Sequence, residues 1–210
     1  MKHLIIIGAG GMGRCLYSLA KESKGYQDEF DVKGFIDDNL KALEGFNNYP
    51  AVLDTISDYQ PVADDVFVCS IGDVTTKIKV CNALESKGAT FQTLIHKRAS
   101  IGLNTKIGQG TIIDECAHID PDVVIGKNCI IQVQAIIGHD SIVGDNVRID
   151  SQAFMVGGIK VGNGACIYTK AMINHNVEIG ENAVVGACSF VIKKVKADTT
   201  VFGSPARPIF

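Results

Sequence analysis

The sequence contains no tryptophan, only five prolines and no pair of cysteines in C-x-x-C spacing. It has no apolar run near the roughly 20 residues of a membrane helix. Its first apolar segment, residues 4–7, is too short for a signal peptide. The net charge of −3 and the absence of a basic stripe give no indication of nucleic-acid binding. The seven cysteines are scattered, which is typical of a reducing compartment. We therefore expect a cytoplasmic protein with no membrane span and no nucleic-acid partner.

The second half of the chain repeats every six residues. From Ile95 to Val191 every sixth position is aliphatic or Met, and the fourth residue after each is small or β-branched. The frame runs without an insertion, so it does not fit hairpins, whose turns would break the phase. Three hexapeptides would form one triangular coil whose inward side chains stack on the neighbouring coils. Residues 95–210 are therefore predicted to be an all-β parallel β-helix with a C-terminal tail.

Residues 1–94 alternate between strand-like and helix-like segments. Strands are predicted at 2–7, 32–36, 66–70 and 90–95, and helices at about 14–23 and 75–86. This order favours an α/β domain with a parallel sheet, built as one βαβαβ half of a Rossmann fold. One half suits a mononucleotide, or a sugar linked to one, better than a dinucleotide.

A glycine-rich loop follows the first predicted strand. Gly8, Gly10 and Gly13 fit the pattern G-x-G-x-x-G, which permits a tight turn and a close backbone approach to phosphate at a helix N-terminus. Asp37 follows the second strand, where an acidic group can meet a ribose. The alternative is a plain strand-to-helix turn without a ligand. The position between a strand and a helix favours a phosphate-binding loop but is shared by such turns.

The β-helix offers few groups for catalysis. His139 and Asp140 lie at a repeat corner, His175 follows two coils later in the same column, and Gly157 lies between the two histidines. A neutral imidazole at His139 suits a general base, and Asp140 would orient it. The alternative is an exposed corner histidine without a role. Zinc bound by His118, His139 and His175, as in β-helix carbonic anhydrases, is a further alternative, but the spacing does not match, so no metal is predicted.

These motifs together resemble one family over essentially the whole chain. The landmarks are the Gly8–Gly13 loop, Phe35-Ile36-Asp37-Asp38, Ile71-Gly72-Asp73, the His139-Asp140 corner, Gly157-Gly158 and the ending Val201-Phe202-Gly203-Ser204-Pro205. They are similar to the sialic-acid O-acetyltransferase and bacillosamine or perosamine N-acetyltransferase type of the hexapeptide-repeat acyltransferase superfamily. The resemblance implies a left-handed β-helix, a homotrimer with active sites between subunits, and acetyl-CoA as cosubstrate with no permanently bound cofactor.

The resemblance also implies roles for particular residues. His139 would be the base and Asp140 the acid that raises its basicity. The nucleotide-linked sugar would contact Gly10, Gly11, Met12, Asp37, Asp38 and Gly72. Acetyl-CoA would meet Gly157 at its acetyl end and Thr169 and Ala187 along the pantetheine groove. Arg148 stands where relatives often carry a second histidine near the acetyl group, so the pocket departs from the pattern there.

The leading expectation is an enzyme that acetylates an amino or hydroxyl group of a nucleotide-linked or free sugar for polysaccharide or glycan synthesis. Two alternatives stay open. One is a non-catalytic subunit that binds sugar nucleotides, which Arg148 favours and the His139-Asp140 pair does not. The other is an O-acetyltransferase of the serine type, whose known members carry a helical N-terminal domain instead.

Overall fold

The computed structural model describes residues 1–209, so Phe210, the last residue of the predicted tail, lies outside the described residues. The chain divides into two compact units, Met1–Lys97 and the part from Arg98 onward. None of the helices in residues 1–209 is both long enough and apolar enough to span a membrane.

The first unit contains a five-stranded parallel sheet and two helices, and its last short strand lies outside that sheet. Its elements are β1 Lys2–Ile7, α1 Gly11–Lys21, β2 Phe30–Ile36, β3 Val52–Asp54, β4 Asp65–Cys69, α2 Val74–Ser86, β5 Thr90–Phe91 and β6 Leu94–Ile95. The sheet order is β3-β2-β1-β4-β5, and every neighbouring pair is parallel. Residues 4–7 of β1 are fully buried, as expected for a central strand that is covered on both faces.

Both helices bury one stripe against the sheet. In α1 the buried residues include Leu16, Leu19 and Ala20, which recur with helical spacing. In α2 the buried residues include Cys81 and Leu84, which join a core cluster with Phe67 and Phe91. The prediction missed β3 and placed one strand over 90–95, where the structure has the two short strands β5 and β6.

The second unit is built from short strands of two residues each. They are β7 Ser100–Ile101, β8 Lys106–Ile107, β9 Ile112–Ile113, β10 His118–Ile119, β11 Val124–Ile125, β12 Ile130–Ile131, β13 Ile136–Ile137, β14 Ile142–Val143, β15 Arg148–Ile149, β16 Phe154–Met155, β17 Lys160–Val161, β18 Cys166–Ile167, β19 Met172–Ile173, β20 Glu178–Ile179, β21 Val184–Val185 and β22 Phe190–Val191. Each strand from β7 to β19 pairs in parallel with the strand three places later in the chain, for example β10 with β13 and β13 with β16. Since His118 pairs with Ile136, one coil comprises 18 residues.

The two inward positions of each hexapeptide form the core of this unit. Ile113, Ile131 and Ile149 stack in one column and are fully buried, while Ala117 and Ala135 stack in another. Full burial of one such aliphatic side chain contributes about 1.5–3 kcal/mol. The predicted fold class, an α/β domain followed by a parallel β-helix of hexapeptide repeats, is confirmed.

The coils end in a small hairpin. Strand β23, Thr200–Gly203, pairs in parallel with β21, and β24, Ala206–Pro208, pairs with β23 in antiparallel fashion. The hairpin therefore covers the edge of β21, on one of the three faces of the β-helix.

Candidate active site

The loop after β1 brings the backbone close to helix α1. Gly8 has a φ of +92°, which L side chains rarely adopt. A Cβ at Gly13 would overlap the carbonyl oxygen of Gly8, so α1 can approach the strand only with glycine at this position. Gly10 and Gly11 face open space, with no heavy atom within 4 Å of a Cβ placed there.

The N-terminus of α1 is left without a side-chain cap. Gly10 is its N-cap residue and provides no side chain to accept a hydrogen bond from the first turn. The positive end of the helix dipole therefore faces the open space beside Gly10 and Gly11, which is the arrangement that binds phosphate groups.

Asp37 connects the end of β2 to this loop. Its Oδ2 accepts a hydrogen bond from the backbone N–H of Ala9 at 2.7 Å, and its Oδ1 accepts one from the N–H of Asn39 at 2.8 Å. Asp38 in turn accepts from the N–H of Ile56 at 3.1 Å. Each carboxylate oxygen keeps a further lone pair, so Asp37 can shape the loop and still accept from a ribose hydroxyl.

Gly72 lies just after β4, on the strand next to β1. Parallel neighbours end at the same sheet edge, so Gly72 and the loop that contains Gly10, Gly11 and Met12 belong to one edge of the sheet. Ligands of open α/β sheets bind at such an edge, beside the strand where the order reverses. Asp73 then caps α2 by accepting from the N–H of Thr76 at 2.8 Å.

The corner of the β-helix holds an imidazole–carboxylate pair. Nδ1 of His139 lies 2.7 Å from Oδ2 of Asp140, and both side chains are more than half exposed. When the ring is neutral, Nδ1–H donates to the carboxylate and Nε2 keeps a free lone pair. The hydrogen bond to Asp140 raises the pKa of His139, and the charges of Asp140 and Asp120 act in the same direction.

Gly157 lies directly against the imidazole of His139. A Cβ at Gly157 would be 2.7 Å from both Cε1 and Nε2 of the ring. The backbone is fixed beside it, because Gly158 N–H donates to the carbonyl of His139 at 2.8 Å. The predicted role of Gly157 in leaving room beside the histidine therefore has a geometric basis.

Asp120 and Asn176 were not among the predicted site residues. Asp120 lies one coil before Gly138, and its charge raises the pKa of His139. Its carboxylate also lies 2.9 Å from Nε2 of His118. Counting back 18 residues from Gly138 would have located Asp120. Asn176 leans over Gly158 from the opposite side.

Arg148 is held by a neighbouring carboxylate. Its Nε and one terminal nitrogen bond the two oxygens of Asp150 at 2.6 and 3.0 Å, and its guanidinium carbon lies 5.7 Å from the ring centre of Tyr168. Ser151, Thr169 and Ala187 are spaced by one coil each and form a second corner column, in which Thr169 and Ala187 are exposed. Ser151, the first member of that column, donates through its hydroxyl to Gln132 at 3.0 Å.

His118 and His175 do not join His139 in a metal site. Among residues 1–209, no three His, Cys, Asp or Glu side chains lie close enough together to hold a metal ion. His175 is exposed at its own corner.

Two family models match the two units. The PglD N-terminal domain matches residues 3–84, and the bacterial transferase hexapeptide (six repeats) matches residues 104–139 and 158–193. The first unit is thus similar to the PglD N-terminal domain, and much of the second is similar to transferase hexapeptide repeats. The predicted resemblance is thereby confirmed.

Known proteins share this architecture. The UDP-N-acetylbacillosamine N-acetyltransferase of Bacillus subtilis is 30% identical over 115 residues, which cover 54% of this chain and 51% of that protein. The chain thus aligns with about half the length of this curated relative. The acetyltransferase domain of PglB from Neisseria gonorrhoeae, in complex with acetyl coenzyme A, has a TM-score of 0.89 at 24% identity and covers 99% of both chains. PerB from Caulobacter crescentus, in complex with CoA and GDP-perosamine, has a TM-score of 0.89 at 22% identity, covering 100% of this chain and 98% of its own.

Proposed function

We propose that this protein is an acetyl-CoA-dependent acetyltransferase that modifies an amino or hydroxyl group of a nucleotide-linked sugar. The two domain types, and relatives that are named as sugar N-acetyltransferases or bind acetyl-CoA and GDP-perosamine, support the proposal. The observation that carries it is the hydrogen bond between His139 and Asp140, with the imidazole packed directly against Gly157.

The chemistry follows from the free Nε2 of His139. The nucleophilic nitrogen or oxygen of the sugar attacks the thioester carbonyl carbon while Nε2 takes the proton from that nucleophile. The tetrahedral intermediate then expels the CoA sulfur, which receives the proton from the imidazolium. Asp140 holds the ring in the required tautomer and stabilises its positive charge between the two steps. Binding both substrates together makes the attack effectively unimolecular.

Acetyl-CoA is proposed to lie along the β-helix with its acetyl group at Gly157. No hydrogen bond from the N–H of Gly157 is found within residues 1–209, and this N–H is proposed to donate to the oxyanion. Thr169, Ala187 and Arg148 would line the course of the coenzyme. A cavity of about 390 Å³ near the last coil is lined by Lys193, Lys194, Lys196 and Arg207, where the CoA phosphates would find cations. Lys193 lies three coils from His139, roughly 14 Å along the axis.

The first unit is proposed to hold the nucleotide-linked sugar. Gly10, Gly11 and Met12 would meet the diphosphate at the start of α1, and Asp37, Asp38 and Gly72 would meet the rest of the nucleotide. The functional boundary is placed between residues 94 and 95, with 1–94 for the sugar nucleotide and 95–210 for acyl transfer.

We also propose a cytoplasmic homotrimer with acetyl-CoA bound between subunits. Outward strand positions of the β-helix are apolar and exposed, with Ile142 50%, Met172 45% and Val124 40% accessible. A second copy of the chain would cover such side chains.

The experiment is a measurement of CoA thiol release from acetyl-CoA with a panel of UDP-, GDP- and CMP-linked amino and hydroxy sugars. Wild type is compared with His139→Ala and with His175→Ala, a matched exposed corner histidine two coils away. We expect turnover with at least one sugar, a fall of roughly 10²–10⁴-fold in His139→Ala and little change in His175→Ala. Turnover that survives His139→Ala would exclude this base. Binding of a sugar nucleotide without any turnover would favour the non-catalytic subunit.

A further inference from the structure

One corner of the β-helix carries a ladder of left-handed residues. Positions 104, 122, 140, 158 and 176 have φ values of 60°, 61°, 58°, 70° and 55°. Where two coils both carry a polar side chain, the two can bond, as Asn104 does by donating to Asp122 at 2.8 Å. Gly158 interrupts this ladder, so neither Asp140 nor Asn176 has a side-chain partner from the coil between them.

The two residues beside the gap respond differently. Asp140 turns to its neighbour and bonds His139. The side-chain amide of Asn176 lies instead over Gly158, so close that a Cβ at Gly158 would overlap its Oδ1. No protein group in residues 1–209 hydrogen-bonds this amide.

His139 and Asn176 therefore converge on the same pair of glycines from opposite sides. The imidazole rests on Gly157, and the Asn176 amide rests on Gly158. The backbone holds both coils in register with this pair, through Gly158 N–H to the carbonyl of His139 at 2.8 Å and Asn176 N–H to the carbonyl of Gly157 at 3.1 Å. The imidazole and the amide thus occupy the places where Cβ atoms at 157 and 158 would lie, with the base on one side of the glycine pair and the amide on the other.

We propose that Asn176 is a second substrate-holding residue of this site, whose Oδ1 accepts a hydrogen bond from the nucleophilic N–H or O–H of the acceptor sugar while His139 faces the same group. The atom turned toward Gly158 is an acceptor, which matches a nucleophile that arrives with a proton and does not match the carbonyl oxygen of a thioester. This inference rests on the proposed acetyltransferase function.

The test compares Asn176→Gly with Asn104→Gly, the same change in the same corner column, three coils before Gly158, at a side chain that donates to Asp122. Glycine tolerates positive φ at both positions, so neither change strains the backbone. We expect Asn176→Gly to lower kcat/KM for the acceptor about tenfold, the factor expected for loss of one neutral hydrogen bond. The KM for acetyl-CoA and the melting temperature should stay unchanged, and Asn104→Gly should behave as wild type.

Asn176→Asp separates an accepting amide from a donating one. Aspartate keeps an acceptor oxygen, so we expect it to retain more activity toward the acceptor than Asn176→Gly does. Activity in Asn176→Gly equal to wild type, or in Asn176→Asp as low as in Asn176→Gly, would overturn the inference while the proposed function stands. Absence of turnover by wild type would overturn both.

Discussion

Replacing Gly157 with alanine would place a methyl group 2.7 Å from Cε1 and Nε2 of His139. Carbon atoms prefer separations of about 3.5–4.0 Å, so the ring would have to shift by ~1 Å. The three nearest heavy atoms all belong to this exposed ring, which can move without disturbing the core. A misplacement of ~1 Å at the reacting centre can cost on the order of 100-fold in rate. We therefore expect Gly157→Ala to lose about 100-fold in kcat while it folds as wild type does.

The assay is CoA thiol release with the best acceptor, together with thermal unfolding. Gly138→Ala provides the contrast, because its Cβ would overlap the backbone carbonyl of Val156, which cannot move aside. That variant should be destabilised by roughly 1–3 kcal/mol or more. Full activity in Gly157→Ala, or a loss of stability as large as in Gly138→Ala, would refute the reasoning.

Three further outcomes are expected. On the proposed mechanism the neutral form of His139 is the active one, and the hydrogen bond to Asp140 raises the pKa of His139, so kcat/KM should fall as pH drops through that raised pKa. Asp140→Asn should move this acidic limb to lower pH, and an unmoved limb in the pH–rate profile would argue against the pairing. Gly10→Ala meets no protein atom but intrudes on the open end of α1, so it should raise the KM for the sugar nucleotide without changing the melting temperature. Gly13→Ala overlaps the carbonyl of Gly8 and should lower the melting temperature, which a retained wild-type value would contradict.

The periodic parts of the fold were predictable because buried positions recur at a regular spacing in the sequence. The inward Ile and Ala columns of the β-helix follow the six-residue frame, so one frame fixes every strand. Strand β3 has only three residues, none of them buried, and such a segment leaves no period to detect. The gap between β5 and β6 likewise depends on local backbone geometry.

Parts of the candidate site could be found by counting and other parts could not. Because one coil is 18 residues, Gly157 follows His139 in the same column, and the sequence alone places the two together. The directions of side chains are not encoded in that count. Three features depend on three-dimensional contacts instead. Arg148 makes two hydrogen bonds to Asp150, and both carboxylate oxygens of Asp37 accept from backbone N–H groups. The side chain of Asn176 packs over Gly158.

The 18-residue coil continues without interruption from Ser100 to Val191, so distance along this part of the β-helix changes in steps of one coil. Each added coil lengthens the molecule by about 4.8 Å and leaves every face in phase, whereas any insertion other than a multiple of six residues within the strands would turn the later side chains out of register. His139 and Lys193 are separated by three such steps. The length of the coenzyme that we propose to span them is therefore set by the number of coils between them, and removing or duplicating one coil would suit a shorter or longer coenzyme.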